Sequence, residues 1–261
     1  MSYIIYGANP WLLPCVMLVV LALTIELPFR FCQRLLTTAA KQIDAFSAVQ
    51  AGLLTLASFV LGLSFAQASS RYDARRELVV KEANAIGTTW LRADQLGPTQ
   101  SARFRRVLTA YLAARLDAYQ TPHDPALYKR TLDQSTDEQN ELWRMASSAL
   151  QADPHNLGLS LLMQTLNDTI DVSAEQLQAL TTHVPTAVVT LTLVLVTLGA
   201  LSLGLRFAVD RARPAALSAV YIIASVVVIS MMIDYDRPQT GFVTVNLNPL
   251  KIQLQSMEQS H

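Results

Sequence analysis

The sequence predicts an all-α membrane protein: four transmembrane helices, with an α-helical soluble domain between the second and third spans. Three observations predict it. Charge is scarce, at 15% Asp, Glu, Lys and Arg, against roughly 25% in an ordinary soluble domain, while 51% of the 261 residues are hydrophobic. The charges are segregated, because residues 71–183 hold 12 of the 20 Lys/Arg and 14 of the 20 Asp/Glu. The charge-poor remainder falls into four runs long enough to cross a bilayer. These boundaries divide the chain into 1–70 (spans one and two), 71–183 (soluble helices), 184–233 (spans three and four) and a 234–261 tail.

The first run lies within Trp11 to Pro28, with no ionisable side chain before Glu26. It lacks the basic leader and cleavage site of a signal peptide, so it reads as a retained span. The second runs from Ala45 to Ala68, with Gln50 and Gln67 as its most polar side chains. The third covers Val184 to Leu205, with Pro185 near its start, where a helix tolerates proline. The fourth covers Ala215 to Ile233, entered by Pro214 and left at Asp234.

The middle domain reads as helical throughout. Phe65, Tyr72, Val79, Ala83, Ile86 and Trp90 form a stripe with near-heptad steps, stopped by Gly97-Pro98. A second helix over Ser101 to Tyr119 presents Leu108, Tyr111, Leu112, Leu116 and Tyr119 on one face. The loop Thr121 to Pro125 leads to a third helix over Ala126 to Gln151. A fourth, over Leu157 to Thr182, leads into the third span. No strand pattern, repeat or low-complexity linker is visible.

The stretch SFVLGLSFAQASSRYDARRE, Ser58 to Glu77, turns from oily to charged with no Gly or Pro in its charged half. One helix is therefore expected from Ala45 to about Asp94. It would be roughly 75 Å long if straight, with roughly 30 Å in hydrocarbon. Its apolar half carries Ala48, Gly52, Thr55, Gly62, Ala66 and Ser69 on one face, with Phe59 the bulky slot. Small residues let helices approach closely in lipid. Two readings are open: tight packing within one four-helix bundle, or a pore-lining helix in a ring of subunits, gated by apolar residues that dewet.

Ser58-Phe59-Val60-Leu61-Gly62, followed after a gap by Arg71 and Tyr72, resembles the neck segment of bestrophins, which are pentameric ion channels. Arg71 to Asp94, Leu166 to Asp171 and Asp234 to Leu250, with its Asp-x-Asp-Arg-Pro-x-x-Gly core, resemble a bacterial bestrophin-like membrane family. The resemblance implies a pore constriction at Thr55, Phe59 and Leu63. Thr55 departs from the apolar pattern and would make its ring wetter. Gly52, Gly62 and Ala66 would pack the pore helix, and Arg71, Tyr72 and Arg75 would mark the junction with an inner vestibule. The implied partners are the lipid bilayer, inorganic ions and further copies of the chain, as a pentamer. The implied location is the bacterial inner membrane. Six basic residues flank the spans on each side, so the positive-inside rule does not choose an orientation. The resemblance implies termini and middle domain in the cytoplasm.

Asp234, Asp236 and Arg237 stand where the fourth span ends. In calcium-gated bestrophins an acidic cluster at this point binds calcium. Here only two acids stand, followed by Arg237 and Pro238, whereas calcium takes six to eight oxygens. The alternative is that Arg237 pairs with an acid and Pro238 ends the helix. Asp73, Arg76, Glu77, Lys81 and Glu82 join Arg71 and Arg75 on one helix. They read as a solvated face with ion pairs, or as a vestibule lining. Asn167 and Asp171, one turn apart, suggest hydrogen bonds across helices, with Arg71 or Arg75 as partners. The four histidines lack ligand spacing, and Cys15 and Cys32 do not suggest a disulfide or zinc. No phosphate loop or catalytic set is present, so neither an enzyme, a cofactor nor a metal centre is expected. Zero net charge speaks against nucleic acid. A non-conducting membrane scaffold or sensor is the rival to the channel.

Overall fold

The computed structural model describes residues 11–32, 43–121, 124–237 and 241–259. The elements are α1 (Leu12–Cys32), α2 (Ile43–Arg92), a 3-10 turn (Ala93–Leu96), α3 (Pro98–Gln120), α4 (Pro125–Ala152), α5 (Leu157–Thr181), α6 (Thr186–Asp210), α7 (Ala215–Asp236) and α8 (Asn248–Gln259). No strand occurs among the described residues. The all-α expectation holds, and among the described residues four helices are long and apolar enough to cross a membrane. The single helix expected across the oily-to-charged stretch is observed, as the 50 residues of α2.

The chain divides into two compact units. The first contains the described residues up to Arg71, His183–Arg237 and Gly241–Val243. Its core joins Met17, Leu21 and Ile25 of α1 to Val196, Ala200 and Phe207 of α6 and Ile229 and Met232 of α7. A Cβ on Gly204 would collide with the Ile25 carbonyl group, so this glycine lets α6 and α1 approach to backbone contact. Between α2 and α6 the hydroxyls of Ser64 and Thr192 meet at 2.9 Å, both buried. Such a bond satisfies polar groups that lipid could not. Pro28 lies inside α1, which continues to Cys32 rather than ending near the proline; transmembrane helices tolerate such a break.

The second unit holds Tyr72–Thr182 and the chain from Thr244 onward. Asp124 caps α4 by accepting from the Ala126 and Leu127 amides at 3.0 Å, and Asn156 caps α5 through the Leu159 amide at 3.1 Å. Gly97 has φ +77°, a left-handed value suited to glycine, and it delivers the chain from the 3-10 turn to Pro98 at the start of α3. The core is Ile86, Phe104, Leu108, Leu112, Leu142, Leu162 and Leu166, all fully buried. The tail after the fourth span carries a helix that was not expected: α8 packs on α3, with Leu250 and Met257 buried.

A buried polar network runs through this core. The Arg115 Nε donates to Glu82 Oε1 at 2.9 Å, with side chains 2% and 0% exposed. Arg115 also donates to the Tyr119 hydroxyl at 2.8 Å. Gln139 donates to Ser173 at 2.8 Å and to the Tyr111 hydroxyl at 3.2 Å. Burial opposes the Arg115 charge, but the Glu82 carboxylate holds the guanidinium protonated beyond its ordinary range. Glu82 was read as part of a solvated face; it lies one turn from Val79 on the buried side of α2, so it sits in the core with a partner instead.

Burial, reinforced by the Glu82 charge, pushes the Tyr111 hydroxyl up from 10.0 to about 12. Below its ordinary value the phenol is neutral in both folded and unfolded chains, so its contribution is fully present. As pH rises from 10.0 to about 12 the unfolded chain ionises first and stability falls. Denaturation midpoints measured across that range are expected to drop, and Tyr111→Phe to drop less steeply. Equal slopes would show that Tyr111 does not contribute.

Candidate functional site

The membrane half of α2 has two faces. Ala57, Ser64 and Ala68 are buried at 4%, 0% and 0% exposure, and their spacing of seven and four residues places them on one side of the helix. Thr55, Phe59, Leu63, Gly52, Gly62 and Ala66 occupy the other side and are all exposed in the chain. Phe59 is 62% and Leu63 50% exposed. The Thr55 hydroxyl donates back to the Ala51 carbonyl at 2.8 Å, so its proton is committed while its oxygen can still accept.

The glycines are informative. Nothing lies within 4 Å of where a Cβ would sit on Gly52 or Gly62. Glycine in a helix costs roughly 1 kcal/mol relative to alanine, and no packing among the described residues repays that at these two positions.

The exposed face of α2 also differs from those of the other spans. It presents Gly52, Thr55, Ser58, Gln67 and Ser70 among its exposed positions. Val49, Leu56, Phe59 and Leu63 are exposed there too, whereas the outer faces of α1, α6 and α7 are richer in large apolar side chains, such as Val16, Val19, Leu23, Leu191, Val194, Val220 and Ile223, with Thr190, Ala219 and Ala224 among them. Lipid-facing surfaces are of the second kind, whereas small and polar residues mark helix contacts or aqueous cavities.

Arg71 and Tyr72 are half-buried, while Arg75 is 2% exposed. The Arg75 guanidinium donates to the Ala179 carbonyl at 3.0 Å and the Thr182 carbonyl at 2.8 Å. It thereby caps the C-terminal end of α5, where a cation also meets the negative end of the helix dipole. Asn167 and Asp171, expected to bond across helices, instead bond each other at 2.7 Å on the exposed side of α5. Lys81 and Glu77 form the expected pair along the helix at 3.0 Å.

The residues after the fourth span are used structurally. Asp234 accepts from the Phe242 amide at 2.9 Å and the Val243 amide at 2.8 Å, folding the following segment back. Asp236, 1% exposed, accepts from the Val184 amide at 2.9 and 3.1 Å, with the His183 ring at 3.5 Å. Arg237 is buried, and its amide donates to the Asp234 carbonyl. With their oxygens committed to amides, these carboxylates have little coordination left for a calcium ion. Among the described residues no three His, Cys, Asp or Glu side chains converge for a metal. Pro238, expected to end α7, lies outside the described residues.

A family profile for the Bestrophin-like domain matches residues 15–250. The chain belongs to the Bestrophin-like family. Its architecture is found in solved structures. A point variant of a bacterial bestrophin homologue from Klebsiella pneumoniae superposes with a TM-score of 0.67 at 17% identity, covering 94% of this chain and 93% of that one. Another structure of the Klebsiella pneumoniae homologue gives 0.62 at 15% identity, covering 94% of each chain. A point variant described as a membrane protein gives 0.71 at 15% identity, covering 94% of this chain and 97% of that one. At such identities the likeness concerns the fold. No curated protein matches the sequence. The bestrophin resemblance carried by Ser58 to Tyr72 is thus borne out at the level of family and fold.

Proposed function

We propose that this bestrophin-like protein is a homo-oligomeric ion channel, a pentamer, whose pore is lined by the exposed face of α2. The observation that supports the reading is the character of that face: small and polar positions stand exposed on it, and Gly52 and Gly62 have no neighbour within 4 Å among the described residues. Around a common axis, Gly52, Gly62 and Ala66 pack against neighbouring α2 helices. Thr55, Phe59 and Leu63 then form successive rings along the pore. Phe59 and Leu63 make an apolar constriction that an ion passes by losing part of its hydration, and the Thr55 ring is wetter. Arg71, Tyr72 and Arg75 stand where the pore opens into a vestibule walled by residues 71–183. Asp234, Asp236 and Arg237 brace the exit of α7 rather than bind ions.

Ion flux through the purified chain in liposomes tests conduction, and native mass measurement tests stoichiometry. Flux with a five-copy particle supports the reading. No flux, or a monomer, favours the non-conducting scaffold or sensor. The proposal also puts the termini and soluble helices in the cytoplasm of a bacterium whose inner membrane holds the channel, a reading supported by the family resemblance. A reporter active only in the periplasm, fused to the C-terminus, is expected to stay silent. Activity there would reverse the orientation.

A further inference from the structure

The first unit carries a second feature, at the end of α1. A trough of about 400 Å³ opens between α1, α6 and the start of α7, a volume typical of small-molecule clefts. It exists because the side chains there are small: Ala22 on α1 and Ala215 and Ala219 on α7 leave space over Phe29 and Ile222. Its other end is charged. Glu26, with its side chain 22% exposed, accepts from Arg30 Nε at 2.6 Å and from an Arg213 terminal nitrogen at 2.9 Å. Two guanidiniums thus share one carboxylate, leaving a net positive charge.

We propose that this trough binds an anionic phospholipid, with its phosphate on Arg30 and Arg213 and part of an acyl chain along Phe29, Ala219 and Ile222. The inference is independent of whether the protein conducts ions. The arginines stand in the last two turns of α1 and just before α7, the level where a span meets lipid headgroups. An occupant must be anionic at that level and apolar towards the bilayer centre, and a phospholipid has that polarity. Basic pockets between spans bind acidic headgroups elsewhere for the same reason. The existing ion pairs do not forbid it. The arginine side chains are 69% and 58% exposed, and exposed pairs contribute little, so a phosphate competes with Glu26 for the guanidinium donors and bonds them bidentately.

The test uses the delipidated full chain in mild detergent, titrated with dioleoylphosphatidylglycerol or dioleoylphosphatidylcholine and read by native mass spectrometry. The anionic phosphatidylglycerol is expected to bind about tenfold more tightly, the equivalent of 1.4 kcal/mol. Arg30→Gln with Arg213→Gln should abolish the preference. Ala219→Phe, which fills the trough and spares the arginines, should weaken both lipids. Glu26→Gln should strengthen phosphatidylglycerol binding severalfold, because it removes the competing carboxylate; a purely structural triad predicts no gain. Equal affinity for the two lipids, indifference to Ala219→Phe, or displacement of the lipid by millimolar inorganic phosphate would each overturn the proposal.

Discussion

Replacing Arg115 by leucine is expected to lower stability by about 3–5 kcal/mol, the usual cost of leaving a buried charge without its partner. The Glu82 carboxylate is 0% exposed and would face the core with its principal cation gone. Tyr119 and Gln176 would also lose a donor, at 2.8 and 3.4 Å. The change removes an interaction between α2 and α3, helices that carry much of the second unit's core. The double replacement Glu82→Met with Arg115→Leu is expected to recover much of the loss. Apolar residues of similar volume often substitute for a complete buried pair at little cost. Thermal unfolding of the four proteins in detergent closes the cycle. A double variant no more stable than Arg115→Leu alone would mean that lost packing, not the orphaned charge, sets the penalty.

The second large effect is on conduction. Phe59→Ala and Leu63→Ala together are expected to raise ion flux severalfold, because both truncations widen and wet the narrowest rings of the proposed pore. Both side chains are at least half exposed, at 62% and 50%, so the fold should tolerate the change. Thr55→Val has the opposite sign: it keeps the shape of the side chain while removing its hydroxyl, making that ring apolar and lowering flux. Liposome flux at matched protein incorporation measures all three. Wild-type flux from both truncated variants would remove Phe59 and Leu63 from the pore while leaving the fold untouched.

Much of the architecture was legible from hydropathy and spacing. The absence of Gly and Pro from Leu63 to Ile86 correctly implied one helix through the oily-to-charged junction, because helix continuity is a local property of the backbone. The stop at Gly97-Pro98 is legible for the same reason. Other features are carried by helical spacing in the tail and on α3. Leu247, Leu250, Leu254 and Met257 recur at helical intervals and pack α8 into the second unit. Arg115 stands one turn from both Tyr111 and Tyr119, on a face already read as buried. That position calls for an acid nearby, and Glu82 shares the buried side of α2 with Val79 and Ile86. The post-span acids illustrate the converse. Asp234 and Asp236 look alike in sequence, yet each binds a different main-chain segment.

The sequence by itself determined that this chain is helical, where four of its helices are apolar enough to span a bilayer, and which family it resembles. Composition, periodicity and breakers act over a few turns and need no partner to be read. Only the tertiary structure decided which side of α2 is covered, since a stripe of small residues looks the same whether it meets a neighbouring helix or nothing. Covering Ala57, Ser64 and Ala68 leaves Gly52, Phe59 and Gly62 bare, and coverage depends on contacts between residues more than a hundred positions apart, such as Ser64 and Thr192.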